Sequence, residues 1–128
     1  MPAVSQQDQY PVKTFKTSKS FETWLARNHS KADGVWLRIA KLSSGIKTIS
    51  HLEALDIALC YGWIDGLRRG MDQTYFVQKY TPRRAGSKWS AINKKKVAAL
   101  IKAGRMRAAG LAAIRQAKKD GRWVVAKP

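Results

Sequence analysis

Phe21, Trp24, Leu25 and Asn28 recur at the i, i+3, i+4, i+7 spacing of one helix face, and they predict a helix over residues 18–28 with Ser18 as its cap. Asp33 and Gly34 break that pattern. Val35, Leu37 and Ile39 then alternate with Trp36, Arg38 and Ala40, the period of a half-buried strand. After a loop at 43–45, Ser50-x-x-Glu53 has the form of a capping box, and the apolar run behind it predicts a helix over about residues 51–61. Its buried stripe is Leu52, Leu55, Ala58 and Leu59, with Asp56 outside the stripe and Gly62 as the stop. Residues 63–67 and 75–80 are short β-prone runs around a turn-rich segment at 69–72, which reads as a hairpin.

Beyond Pro82 the texture changes. Residues 81–88 form a basic loop, and a helix starting near Ser87 or Ser90 presents Trp89, Asn93, Val97, Leu100 and Ile101 on one face. Gly104 closes it. A last helix over about residues 106–119 presents Gly110, Ala113, Ile114 and Ala117, small enough for close approach to a neighbour; Gly121 ends it and Trp123 folds back onto the core. The order α-β-α-β-β-α-α predicts an α+β fold, with a small, mainly antiparallel sheet packed with helices and a C-terminal helix pair. Residues 1–14, polar and holding two prolines, read as a loose lead-in; residues 15–128 read as one domain, which 128 residues suit.

Composition changes this picture in one respect. A chain 45% hydrophobic and 26% charged belongs with globular proteins rather than disordered ones, and no apolar run is long enough for a membrane-spanning helix. The charge is unusual: 25 Lys and Arg against 8 Asp and Glu give +17, so anionic partners come first. Residues 1–64 carry 8 basic and 5 acidic side chains, residues 65–128 carry 17 and 3. The field therefore belongs to the second half. Nine cations and no acid lie between Thr81 and Arg107.

Candidate chemistry concentrates there. His29, His51, Cys60 and Asp65 match no ligand spacing, so no metal and no other cofactor is expected, and no phosphate loop of the Walker or dinucleotide type is present. Cys60, the single cysteine, sits in an apolar stretch and reads as a buried thiol. The N-terminus lacks the apolar region of a signal peptide, which predicts a cytoplasmic protein. Arg83, Arg84 and Lys88 precede a helix start where Ser87, Ser90 and Asn93 add polar groups, an arrangement suited to phosphate, sulfate or carboxylate. Arg68 and Arg69 complete the candidate anion set. Asp65, shielded by Trp63, is the candidate that orients these arginines and also the candidate general acid or base, with Tyr61, Ser87 or Ser90 nearby. Tyr80 and Trp89 line the same region, and Lys94, Lys95 and Lys102 extend it as a basic surface suited to nucleic acid.

Several motifs carry a family resemblance. Gly34-Val35-Trp36-Leu37, the run from Glu53 through Tyr61-Gly62-Trp63-Ile64-Asp65-Gly66, Tyr80-Thr81-Pro82-Arg83, and Ser87-x-Trp89-Ser90-x-x-Asn93 resemble the YdeI/OmpD-associated family, and Asp120-Gly121-Arg122-Trp123 extends the match. The resemblance implies a bacterial α+β domain linked to bacteriocin protection, with one shared site at 63–65 and 81–93. It supplies no catalytic residues, and this chain stops where such proteins commonly continue into a further helical segment. The expected function is a non-enzymatic module binding an anion, a phosphate or nucleic acid. Its rivals are a protein-interaction or stress-protection module using Trp63, Tyr80 and Trp89 as an apolar patch, and a small enzyme built on Asp65.

Overall fold

In the computed structural model, which describes residues 9–123, the chain opens on a two-residue strand, β1 (Val12–Lys13). This strand lies inside the stretch read as a loose lead-in; its two residues run parallel to Trp36 and Leu37. Helix α1 (Ser18–Asn28) is capped by Thr17, not Ser18: the Thr17 hydroxyl accepts from the Ser20 N–H at 3.1 Å, and the Ser20 hydroxyl reaches back. Either residue type can cap, and the extended backbone at Thr17 decides it.

Strand β2 (Val35–Ala40) is followed by a 3₁₀ turn (Leu42–Ser44) and by α2 (His51–Cys60), whose Ser50–Glu53 capping box forms as the spacing predicts. The hairpin is longer than its β-prone runs, with β3 (Trp63–Gly70) and β4 (Tyr75–Pro82). Helices α3 (Ala91–Lys102) and α4 (Ala108–Lys119) complete the described chain. The sheet runs β1-β2-β4-β3, antiparallel except for β1. The fold is α+β.

Register assigns the two sheet faces. Val35 lies opposite Tyr80, Leu37 opposite Gln78 and Ile39 opposite Phe76, and these share the face that meets the helices. There they join Phe21 and Leu25 of α1, Leu55, Ala58 and Leu59 of α2, and Trp63 in one core. Trp36, Arg38 and Ala40 point the other way with Lys79 and Tyr75. Trp36 is nonetheless buried, because Arg69 and Lys79 lie over its ring at 5.3 and 5.6 Å. Two residues expected in buried stripes are outside: Leu52 is 52% exposed and Ile101 48% exposed. Leu52 stands in the first turn of α2, beyond the sheet; Ala54 and Ile57 are buried instead.

The small face of α4 does bring two helices together. The Arg107 N–H donates to the Cys60 carbonyl at 3.0 Å, and Gly110 faces that carbonyl closely enough that a Cβ would overlap it. Cys60 itself is 2% exposed, and burial pushes its thiol up to about 11. At pH 8 its thiolate is then about 100-fold scarcer than in the unfolded chain. A thiol reagent is expected to modify the folded protein at least that much more slowly than the urea-unfolded one. Comparable rates would show that Cys60 is reached in the native state.

Candidate functional site

The loop between β4 and α3 is fixed at both ends. The Arg83 N–H donates to the Gly62 carbonyl at 3.0 Å, and the Ser90 hydroxyl caps α3 by accepting the Asn93 N–H at 3.1 Å. The sequence pattern allowed Ser87 or Ser90 as the helix start and placed an anion at that terminus. The cap is Ser90, and because its oxygen already engages the Asn93 N–H, the terminus is served by its own cap.

Ser87 instead belongs to a cluster of side chains. From the other end of the chain, Gly121 turns at φ +76°, and the Arg122 N–H returns to the Ala117 carbonyl at 2.9 Å. This turn aims Arg122 at the loop. Its Nη1 donates to the Ser87 carbonyl at 2.7 Å and its Nη2 to Asp120 Oδ2 at 2.9 Å. Arg83 Nη2 donates to the Lys88 carbonyl at 2.9 Å, and its guanidinium lies 3.8 Å from the centroid of the Trp89 ring. Trp123 packs on Trp89 with centroids 4.9 Å apart, the fold-back expected of it.

Arg83, Arg84, Ser87, Trp89 and Arg122 line a cavity of about 240 Å³, closed on the α4 side by Ala113 and Gln116. No acid is among its lining residues. Five polar side-chain atoms on four of these residues are shut from solvent without a hydrogen-bond partner: Nε and Nη1 of Arg83, Oγ of Ser87, Nε1 of Trp89 and Nε of Arg122. Four of them are obligate donors, which only an acceptor can satisfy. A buried unpaired polar group costs about 1–3 kcal/mol, so a group of them concentrated at one cavity is an expensive arrangement without a ligand. Burial, and then the neighbouring Arg122, hold Arg83 down at about 10, with Asp65 partly opposing them. Arg83 stays charged at neutral pH.

The structure divides the other candidate residues among several places. Arg84 lines the cavity, whereas Lys88 is exposed and contributes its carbonyl. Arg68 lies on the inner sheet face against Gln78 and Phe76, and Arg69 covers Trp36 on the outer face. Trp63 and Tyr80, 1% and 0% exposed, are core residues, their polar atoms donating to the His29 and His51 carbonyls. With Trp89 at 7%, the three form no apolar surface patch. Asp65 sits across the ladder from Tyr80 and does not line the cavity, and its carboxylate reaches Arg83 only through charge. Two of its suggested catalytic companions are engaged elsewhere, since Ser90 caps α3 and the Tyr61 hydroxyl faces Glu22 at 3.5 Å, while the third, Ser87, lines the cavity. Lys94 lies 5.8 Å from the Trp123 ring centroid, while Lys95 and Lys102 are exposed along α3.

Arg122 is the residue that sequence reasoning passed over. Its signal was a cation one residue beyond a helix-terminating glycine and directly before a tryptophan, a spacing that returns the side chain across the helix end. Among the described residues no group of three or more His, Cys, Asp or Glu is placed to hold a metal ion, and no helix is long and apolar enough to cross a membrane. Residues 13–113 match the family described as Domain of unknown function (DUF8412). No curated protein and no solved structure matches the chain.

Proposed function

We propose that this chain, which belongs to the DUF8412 family, is a non-enzymatic binding module whose arginine cavity holds the phosphate group of its ligand. The observation that carries this reading is the set of unpaired buried atoms on Arg83, Ser87, Trp89 and Arg122. A phosphate presents several acceptor oxygens and up to two negative charges, and guanidinium groups match it bidentately. A cavity of about 240 Å³ suits the head of a larger ligand rather than a whole one. Trp123, flanked by Lys94 and Lys118, and the exposed Lys95 and Lys102 would extend the same field to a neighbouring phosphate of a nucleotide or nucleic acid. Kinship with the YdeI/OmpD-associated proteins and a cytoplasmic setting belong to the same proposal. The kinship is supported by the Thr81–Asn93 motif, of whose quoted residues Arg83, Ser87 and Trp89 line the cavity.

Titration of inorganic phosphate into isotope-labelled protein tests the proposal. The indole N–H resonance of Trp89 is expected to shift saturably, while those of Trp36 and Trp63 stay in place. A stationary Trp89 signal, or equal drift of every indole, would overturn it. An oligonucleotide series then separates the ligand classes. Affinity falling with salt at a slope of about −0.7 per neutralised phosphate in a single strand, over several phosphates, indicates nucleic acid; a slope near one phosphate indicates a small ligand.

A further inference from the structure

A second cavity, of about 580 Å³, lies beyond the opposite end of the inner sheet face, between the 3₁₀ turn, the start of α2 and the ends of β3 and β4. Its volume falls in the range of small-molecule sites. Its apolar lining comprises the exposed Leu42, Ile46 and Leu52 together with Phe76 and the edges of the core residues Ile39 and Ile49, and no acid lines it. The charged side chains at its wall are Lys47 and Arg68.

Arg68 is there because the strand is irregular. Trp63 and Asp65 take inner-face positions on β3, and strict alternation would put Leu67 at the next one. The ladder instead pairs Asp65 with Tyr80 and Arg68 with Gln78, so three steps on β3 match two on β4. This bulge turns Leu67 out, 55% exposed, and brings a cation onto the apolar face. Gln78 holds it. Only 3% exposed, Gln78 accepts from Arg68 Nε at 3.2 Å and donates through Nε2 to the bulge carbonyl of Gly66 at 2.7 Å. The guanidinium is further set over the Phe76 ring at 4.3 Å. A buried amide, a bulge and an aromatic ring thus combine to fix one guanidinium at the edge of an apolar cavity. Its Nη fork remains for a ligand.

We infer that this cavity binds a small amphipathic carboxylate, its apolar chain against Ile46, Leu52 and Phe76 and its carboxylate on Arg68. A single monoanionic head suits the single fixed guanidinium, whereas a bare phosphate dianion would lose more hydration against these walls than Arg68 returns. The two cavities share no lining residue, so the inference stands apart from the phosphate proposal.

The experiment compares octanoate with its neutral isostere octanamide, following the methyl resonances of Ile46 and Leu52. Octanoate is expected to bind about tenfold or more tighter than octanamide, the scale of one charge-assisted hydrogen-bonded pair. The preference should vanish in Arg68→Gln and return in part in Arg68→Lys, while saturating phosphate leaves it unchanged. Arg68→Gln should still bind octanamide as the unaltered chain does, so loss of fold, which would abolish binding of both compounds, cannot imitate the result. Equal affinities in the unaltered chain, methyl signals that respond to neither compound, or a preference that survives Arg68→Gln would each overturn the inference. So would concentration-dependent shifts of those methyls without ligand, which would assign the cavity to a second copy of the chain.

Discussion

Replacing Arg83 and Arg122 together by methionine is expected to weaken phosphate binding at least about 100-fold, since hydrogen bonds to charged groups contribute about 1.5–3 kcal/mol each. The same double variant is expected to fold with a stability within about 1 kcal/mol of the original in phosphate-free buffer. Both effects follow from the same atoms. Each guanidinium keeps a bond to a loop carbonyl, Lys88 for Arg83 and Ser87 for Arg122, and each also has a buried N–H with no acceptor. Methionine removes the favourable bonds and the unpaired donors at once, and its unbranched chain can still lie against Trp89. Asp120, deprived of Arg122, is 39% exposed at its side chain and stays hydrated. A purely structural pair of arginines would behave differently, with a loss of several kcal/mol and little change in phosphate affinity. Calorimetric titration and thermal melts on the same samples separate the two cases.

Ligand linkage gives the complementary sign. Phosphate at about 100 times its dissociation constant should stabilise the unaltered chain by about 2.7 kcal/mol and the double variant hardly at all.

How far this site could be read from sequence depends on how local its determinants are. Arg83, Arg84, Ser87 and Trp89 fall within seven residues, so the basic loop stood out as a unit. Ser50 and Glu53 announced α2 for the same reason: a capping box is a contact over three residues. Arg122 required knowing that α4 packs with its end beside the loop, a contact spanning 35 positions that no period reveals. Arg68 and Arg69 follow Asp65 closely in sequence and so suggest one group with the loop, yet adjacent strand residues face opposite sides. The bulge then decided which of the two turns inward. The apolar neighbours of Asp65 in sequence suggest a shielded carboxylate in need of an arginine. Those neighbours are the reason it lies on the Tyr80 side of the ladder, where burial pushes the Tyr80 hydroxyl well above its ordinary range. Strand β1 left no trace in the hydrophobic pattern, because two residues carry no period.

Gly110→Ala is expected to destabilise the fold by roughly 2 kcal/mol and to lower the melting temperature by several degrees. In an open helix the same change is favourable by about 1 kcal/mol, because alanine loses less backbone entropy than glycine. The sign reverses here because the new methyl would overlap the backbone carbonyl of Cys60, which the Arg107 N–H holds at 3.0 Å and which cannot rotate away. Gly62, two residues beyond Cys60, approaches the same helix, with its hypothetical Cβ 3.1 Å from the Ala109 carbonyl oxygen and 3.6 Å from the Ala113 methyl. Helix α4 can therefore only move outward, and it carries the Ala113 and Gln116 walls of the arginine cavity and leads directly to Arg122. Stability and phosphate affinity should fall together in Gly110→Ala, in contrast to the arginine variant, which separates them. Gly70→Ala is the matched control: its added methyl meets nothing within 4 Å, and the change should stay within about 0.5 kcal/mol. A melting temperature raised by Gly110→Ala would mean that α4 stands clear of α2, and the placement of Arg122 against the loop would lose its basis.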